Sequence, residues 1–458
     1  MAETLHASRA LLPQGWARDV RVSIGPDGRI ASVEAGVSPA PGDRQLGAET
    51  LLPAPANLHS HTFQRAMAGL AEHRSGPAGD DFWSWRTLMY RFLDRMSPDD
   101  VEAVAAMAFV EMLEGGFAAC VEFHYLHHGP AGAPYEDRAE LSGRIAAAAG
   151  AAGIGLTLLP VYYQRGGVDG RPLVGGQLRF GTDRDGYPSL LEGAEAHLRH
   201  LPPDARLGLA PHSLRAAAPE DIAWVATLLP GAPVHIHAAE QTAEVEDVAA
   251  AYGARPVELL LGRCGAEGRW CLIHATHMTA AETRALAASG VVAGLCPVTE
   301  SNLGDGIFPA RDFLAAGGRF GIGTDSNILI DAATELRTLE YSQRLQGRAR
   351  VVLADAERSA GRLLWQEALA GGAAAAGRPS GAIAPELFAD LLTLPEDALE
   401  LASREGDQVL DSFVFAMARP RIGRLWSAGR LVVEEGRARH REPAERAYRR
   451  ALAALLAA

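Results

Sequence analysis

At 458 residues the chain exceeds the roughly 250–300 at which one hydrophobic core stops growing, which predicts one large domain and a smaller one. Its 48% hydrophobic and 22% charged residues exclude a disordered or fibrous class. A formal net charge of −13 excludes the basic surface that nucleic acid or an anionic membrane requires.

The N-terminus MAETLHASRALLPQGW lacks a basic start followed by an apolar run, and no stretch of about 18 apolar residues occurs, so a cytoplasmic protein with no membrane partner is expected. Cys120, Cys264, Cys271 and Cys296 are scattered without a CxxC pair, which argues against a disulfide framework and a thiolate metal site. There is no lysine, so all 43 basic residues are arginines. That excludes Schiff-base lysine chemistry, the phosphate-loop lysine and a carbamylated lysine bridging two metals. Codon bias in an Arg-, Ala- and Gly-rich proteome is a sufficient cause.

In chain order, residues 1–50 carry short alternating pieces, such as DVRVSIGPDGRIASVEAG with its Pro-Asp-Gly turn, which is hairpin chemistry. Eight apolar runs follow, most of them trailed by helical composition: LLPAPANLHSH from Leu51, AACVEFHY from Ala118, IGLTLLPVYY from Ile154, RLGLAPHS from Arg206, APVHIHAAE from Ala232, WCLIHATH from Trp270, VVAGLCPVT from Val291 and RFGIGTDS from Arg319. Eight such units over residues 51–383 predict a (β/α)8 barrel. Helix starts are marked by Ser97 before Pro98, Asp99 and Asp100, and by a Thr279–Glu282 capping box whose helix closes at Gly290. From residue 384 to 442 strand-like pieces return, so both chain ends together are expected to form a small β-sandwich, followed by a terminal helix over 443–458. Gly304-Asp305-Gly306 reads as a turn, since it lacks the strand-to-helix glycine fingerprint of a phosphate cradle.

A (β/α)8 barrel carries its chemistry at the C-terminal ends of its strands. His59 and His61 end the first run, and a spacing of two puts both imidazoles on one face. One such pair is weak evidence, because core histidines satisfied by a hydrogen bond are commoner than ligands. The fifth run, however, ends in His235-Ile-His237-Ala-Ala-Glu240, the sixth contains His274-Ala-Thr-His277, and the eighth ends in Gly323-Thr324-Asp325-Ser326. Three histidines and an aspartate suit zinc with a position left for water, whose pKa the metal lowers toward about 7. Such a site attacks a planar carbon.

With these residues the chain resembles the amidohydrolase superfamily over nearly its whole length. Members with two metals usually use a bridging lysine, so the resemblance is to the mononuclear group, in which the fifth-strand histidine precedes a glutamate by three residues. The resemblance implies one zinc per chain on His59, His61, His237 and Asp325. It implies that Glu240 relays protons, that His274 positions the attacking water, and that Asp325 also takes the water's proton. His235 and His277 are left to packing roles. A finer resemblance, to the formimidoylglutamate deiminases, is carried by HSHTFQRAMAGLAEHR from His59, DDFWSWRTLMYRF from Asp80, VEFHYLHH from Val121, LAPHSLRA from Leu209, HIHAAEQ from His235, WCLIHATH from Trp270 and LCPVTESNLGDGIFPARDF from Leu295. Asn327, after the GTDS run, stands where histidine is expected.

That family deiminates N-formimino-L-glutamate to N-formyl-L-glutamate and ammonia in histidine degradation, and a homodimer is expected from the resemblance alone. A dicarboxylate needs donors and positive charge, preferably arginine for bidentate pairing. The resemblance places Gln64, Arg86 (after Trp83 and Trp85), Tyr125, His212 and Arg215 in the substrate pocket. Taken singly, each of these could equally be a surface arginine or a packed polar group. The rival readings are a mononuclear deaminase of an aminated base or guanidino compound, favoured if Arg86 and Arg215 point away from the metal, and a catalytically silent barrel serving as a scaffold.

Overall fold

The computed structural model describes residues 3–73, 82–418 and 421–457, with backbone alone for 82–84. The eight predicted runs all become strands of one barrel. They are β1 (Ala56–Ser60), β2 (Ala119–His124), β3 (Gly155–Tyr162), β4 in two short pieces (Arg206–Leu207 and Ala210–Pro211), β5 (Val234–Ala238), β6 (Trp270–His274), β7 (Val292–Leu295) and β8 (Arg319–Ile322). Nearly every residue in these strands is buried, as expected where a parallel sheet is covered by helices on its outside.

Regular parallel pairing divides the barrel into two arcs, β1 to β4 and β5 to β8. Single parallel bridges close the two seams: Ser60 with Asp325 on one side, and Leu209 with Val234 and Ser213 with His237 on the other. Inside the barrel Leu58, Cys271, Ile273, Val292, Cys296 and Ala375 form a compact apolar cluster. Helix Ala360–Ala375 lies directly on β8, and Gly371 permits this, since a Cβ there would come within 1.8 Å of the Phe320 carbonyl oxygen.

The strands of both chain ends join one nine-stranded sheet. Its central union is antiparallel pairing of strand Glu49–Pro53 with strand Leu391–Pro395. The run LLPAPANLHSH, expected as a single strand, therefore divides. Leu51 and Leu52 belong to the terminal sheet, and the barrel begins after Pro53 and Pro55, which lack the N–H of a continuous ladder. The core of this sheet mixes both ends, with Leu5, Val20, Val22 and Leu51 against Ile383, Leu391 and Trp426.

Sheet and barrel are riveted by buried charge. Arg378 makes a bidentate pair with Asp390 at 2.7 and 2.9 Å, and also meets Asp204 at 3.0 Å. Asp204 in turn receives Arg430 at 2.7 Å. The predicted caps are present: Ser97 and Asp100 form a reciprocal capping box on helix Pro98–Glu114, and Thr279 and Glu282 form another on helix Ala280–Ala288. Helix Arg441–Ala457 packs on Pro98–Glu114, with Arg441 to Glu114 at 2.7 Å. Among the described residues no helix is long and apolar enough to cross a membrane.

Candidate metal centre and active site

The two seams bring the candidate ligands together. Asp325 N–H donates to the His59 carbonyl at 2.9 Å and His61 N–H donates to the Asp325 carbonyl at 2.9 Å, so β1 and β8 are locked in register. Across the other seam His237 N–H donates to the His212 carbonyl at 3.1 Å. One ligand atom each from His59, His61, His237 and Asp325 lies within 4.8 Å of the others, all buried.

These four fit a cation better than they fit one another. The Nδ1 atoms of His61 and His237 face the carbonyl oxygens of Phe123 and His212 at 2.8 and 3.0 Å, so those nitrogens carry the protons and each Nε2 presents a lone pair inward. Burial drives His59 down to about 3, so its ring is neutral. Its Nε2 lies 3.1 Å from His237 Nε2 and 3.3 Å from Asp325 Oδ1, while His61 Nε2 lies 3.2 Å from the same oxygen. One imidazole proton cannot serve all these acceptors, whereas a divalent ion can. Three imidazoles and one carboxylate form a donor set that suits a borderline divalent ion.

Around this cluster stand the other candidate groups. His274 is buried, Nε2 lies 3.8 Å from Glu240 Oε1 and 3.9 Å from Asp325 Oδ2, and Nδ1 meets Glu300 at 3.2 Å. Burial would lower its pKa, but Glu300, Glu240 and Asp325 outweigh that and raise it to about 10. Burial would likewise raise the Asp325 carboxyl, yet the bond with His59 and the surrounding imidazoles hold it below the usual range. His274 and Asp325 both adopt left-handed backbone, φ 70° and 45°, a strained conformation that the packed seams sustain.

A small cavity opens onto the cluster. His61, His237, Glu240 and Asp325 line it together with Gln64, Arg86, Tyr125, His212 and Arg215, so every residue expected near substrate is present. Trp85, Met89, Phe180 and Leu303 form its apolar walls. Gln64 Nε2 donates to Tyr125 Oη at 2.6 Å, and Arg86 Nη2 donates to Tyr163 Oη at 2.7 Å. The side chain of Trp83 lies outside the described residues. His235 turns away, its Nε2 facing the Ala375 carbonyl at 2.8 Å, and His277 Nε2 meets the Asp305 carbonyl at 2.8 Å. Neither belongs to the cluster.

Residues 50–432 match the Amidohydrolase family, and residues 2–47 match the N-terminal domain of formimidoylglutamate deiminase HutF. The formimidoylglutamate deiminase of Pseudomonas aeruginosa is 49% identical over 99% of both chains. The chain belongs to the formimidoylglutamate deiminase branch of the amidohydrolase family. A crystal structure of an amidohydrolase from Brucella melitensis superposes on this deiminase-family chain with a TM-score of 0.95 at 51% identity, covering 99% of it and 100% of that chain. An adenosine deaminase from Xanthomonas campestris with bound zinc shares the fold, with a TM-score of 0.80 at 22% identity over 98% of each chain.

Within this family framework, three more residues support the site: Glu300 and Glu244, which sequence reading passed over, and Asn327, which it noted only as a departure from the family pattern. Glu300 holds His274 Nδ1 and also accepts the Cys296 N–H at 2.9 Å. Glu244 accepts the N–H groups of Ala239 and Glu240, each at 3.2 Å. Asn327, in place of the expected histidine, is fully buried; its Nδ2 reaches Ser60 Oγ, the His61 carbonyl and the Asp325 carbonyl at 3.1, 3.1 and 3.0 Å. Of the two that were passed over, only Glu244 left a trace in the sequence, a second glutamate four positions after Glu240.

Proposed function

We propose that the protein hydrolyses N-formimino-L-glutamate to N-formyl-L-glutamate and ammonia, with one zinc ion on His59, His61, His237 and Asp325. The observation that carries the substrate is the meeting of two guanidinium groups, Arg86 and Arg215, in the small cavity that also contains the ligand cluster. A molecule with two carboxylates and a planar formimino carbon matches that pairing of charge and reactive centre, whereas a neutral base offers no anion to either guanidinium.

Zinc in this position supplies Lewis acidity and lowers the pKa of water toward about 7. Asp325, whose Oδ1 is turned to His59 and His61, keeps Oδ2 toward His274 and takes the proton of the attacking water there. His274, anchored behind by Glu300, orients that water from the other side. Glu240 carries a proton to the formimino nitrogen, the carbon gains the oxygen of water, and the C–N bond breaks to release ammonia. Gln64, Tyr125 and His212 supply donors and acceptors along the walls. Burial, with Arg215 and Arg86 nearby, holds His212 well below the usual imidazole range, so it is neutral. By the same likeness we read the protein as a cytoplasmic homodimer of histidine degradation, and sedimentation of the zinc-loaded protein tests the dimer.

Ammonia release by zinc-loaded protein from N-formimino-L-glutamate, measured beside aminated nucleobases and guanidino compounds, tests the assignment. Turnover of the dicarboxylate is expected. Turnover confined to a base would keep the metal chemistry and overturn the substrate.

A further inference from the structure

Glu240 is not free beside the cluster. Its Oε2 accepts a charge-assisted bond from Arg215 Nη2 at 2.6 Å, with the two side chains only 6% and 11% exposed. Arg215 Nε also lies 3.9 Å from Glu244 Oε2. The same Glu244 carboxylate fixes the backbone beneath Glu240 through the N–H groups of Ala239 and Glu240, and Ala239 is itself left-handed, φ 51°. The main chain at Glu240 is thus pinned while its side chain is tethered by a cation that lines the substrate cavity.

Such a buried pair does not simply open, because separation leaves the Glu240 carboxylate uncompensated and Arg215 with only the more distant Glu244 opposite it in a dry site. It can exchange partners. A carboxylate arriving in the cavity offers Arg215 an equivalent acceptor and lets Glu240 swing toward the formimino nitrogen while the guanidinium keeps a close acceptor. We infer that the Arg215–Glu240 ion pair is a latch opened by a substrate carboxylate, so that recognition of the acidic end releases the proton carrier at the reactive end. This rests on the roles given above to Arg215 and Glu240. Glu244 is the fixed post of the latch, since its bonds to the backbone need not change when the side chain of Glu240 moves.

A latch differs from a plain binding contact in its kinetics. A contact made equally in ground and transition states alters KM alone, whereas a tethered proton carrier lowers kcat even at saturation. The test compares zinc-loaded protein acting on N-formimino-L-glutamate and on N-propylformamidine, which carries the same reacting group and no carboxylate, with and without added propionate. With Glu240 withheld, kcat for the carboxylate-free formamidine should fall by about 100-fold or more, the usual contribution of general acid–base catalysis, and propionate should recover much of it. An unchanged kcat with only KM raised, or propionate acting solely as an inhibitor, overturns the latch while leaving the substrate assignment standing. Failure to turn over N-formimino-L-glutamate at all defeats that assignment instead. A crystal structure of the zinc-loaded protein with glutarate decides the latch without turnover: Arg215 should sit on a ligand carboxylate with Glu240 beyond hydrogen-bond distance, and a retained Arg215–Glu240 pair beside bound glutarate overturns it.

Discussion

Replacing Asn327 with alanine tests how the metal-ligand backbones are held. The asparagine amide binds Ser60 Oγ and the carbonyls of His61 and Asp325, and its Oδ1 accepts from Thr324 Oγ1 at 2.6 Å. The substitution removes contacts to two of the three strand ends that carry ligands, those of β1 and β8. Two or three net hydrogen bonds at about 1 kcal/mol each, plus about 1 kcal/mol for a Cβ-bearing residue lacking asparagine's tolerance of the left-handed region, give a loss of roughly 3–4 kcal/mol. Residue 327 has φ 56°, so that second contribution applies here. For a chain of 458 residues this corresponds to a fall in Tm of about 3–4 °C, readable by calorimetry of the metal-free protein. Loss of an outer support of metal ligands typically weakens metal affinity by about 10–100-fold, readable by competition with a chromophoric chelator. If zinc affinity is unchanged while stability falls, Asn327 only fills space. If both are unchanged, the reasoning from its hydrogen bonds is wrong.

Glu240→Gln should abolish ammonia release while zinc content, measured by atomic emission, stays at the wild-type level; retained turnover would remove the proton-carrying role from Glu240. His235→Ala breaks the tie to the Ala375 carbonyl and should lower Tm without lowering zinc content, and loss of the metal would make His235 a ligand after all. Arg378→Met leaves Asp204 and Asp390 facing each other in the seam between sheet and barrel, a loss of about 3–5 kcal/mol measurable by denaturant unfolding, and wild-type stability would refute the rivet. Burial would raise the Asp204 carboxyl, but Arg430 and Arg378 outweigh it and hold it below its ordinary value. A depressed carboxyl contributes stability above its unfolded pKa of about 3.9 and loses it as pH falls through the lower folded value. The wild-type Tm should therefore drop below about pH 4, and an Asp204→Asn variant, less stable at neutral pH, should drop less steeply there.

Much of the barrel was readable because strand ends and caps are local signals. His59 and His61 sit two apart on one face, and Ser97 and Thr279 cap helices within their own turns. The union of strand Glu49–Pro53 with Leu391–Pro395 was not readable to the residue, since nothing near Leu51 announces a partner some 340 positions away. The support of the site was harder still. His274, Ala275, Asp325 and Asn327 all take left-handed backbone, a choice that tertiary packing imposes on residues with no glycine signature. The Arg215–Glu240 pair joins the segment after β4 to the end of β5, so only the closed barrel reveals that the expected anchor and the expected proton carrier hold each other.

Among the described residues the strand pairing between the two arcs consists of isolated bridges, at Ser60–Asp325, Leu209–Val234 and Ser213–His237. His59 and His61 come from one arc, His237 and Asp325 from the other. An ion gripped by all four is therefore also a clasp between two half-barrels. Amide hydrogen exchange along both seams should quicken on demetallation far more than exchange inside either arc. The clasp also constrains how such a chain can change: a descendant that gave up its ligands would lose the catalyst and the fastening in one step, and would need new contacts to keep its barrel shut.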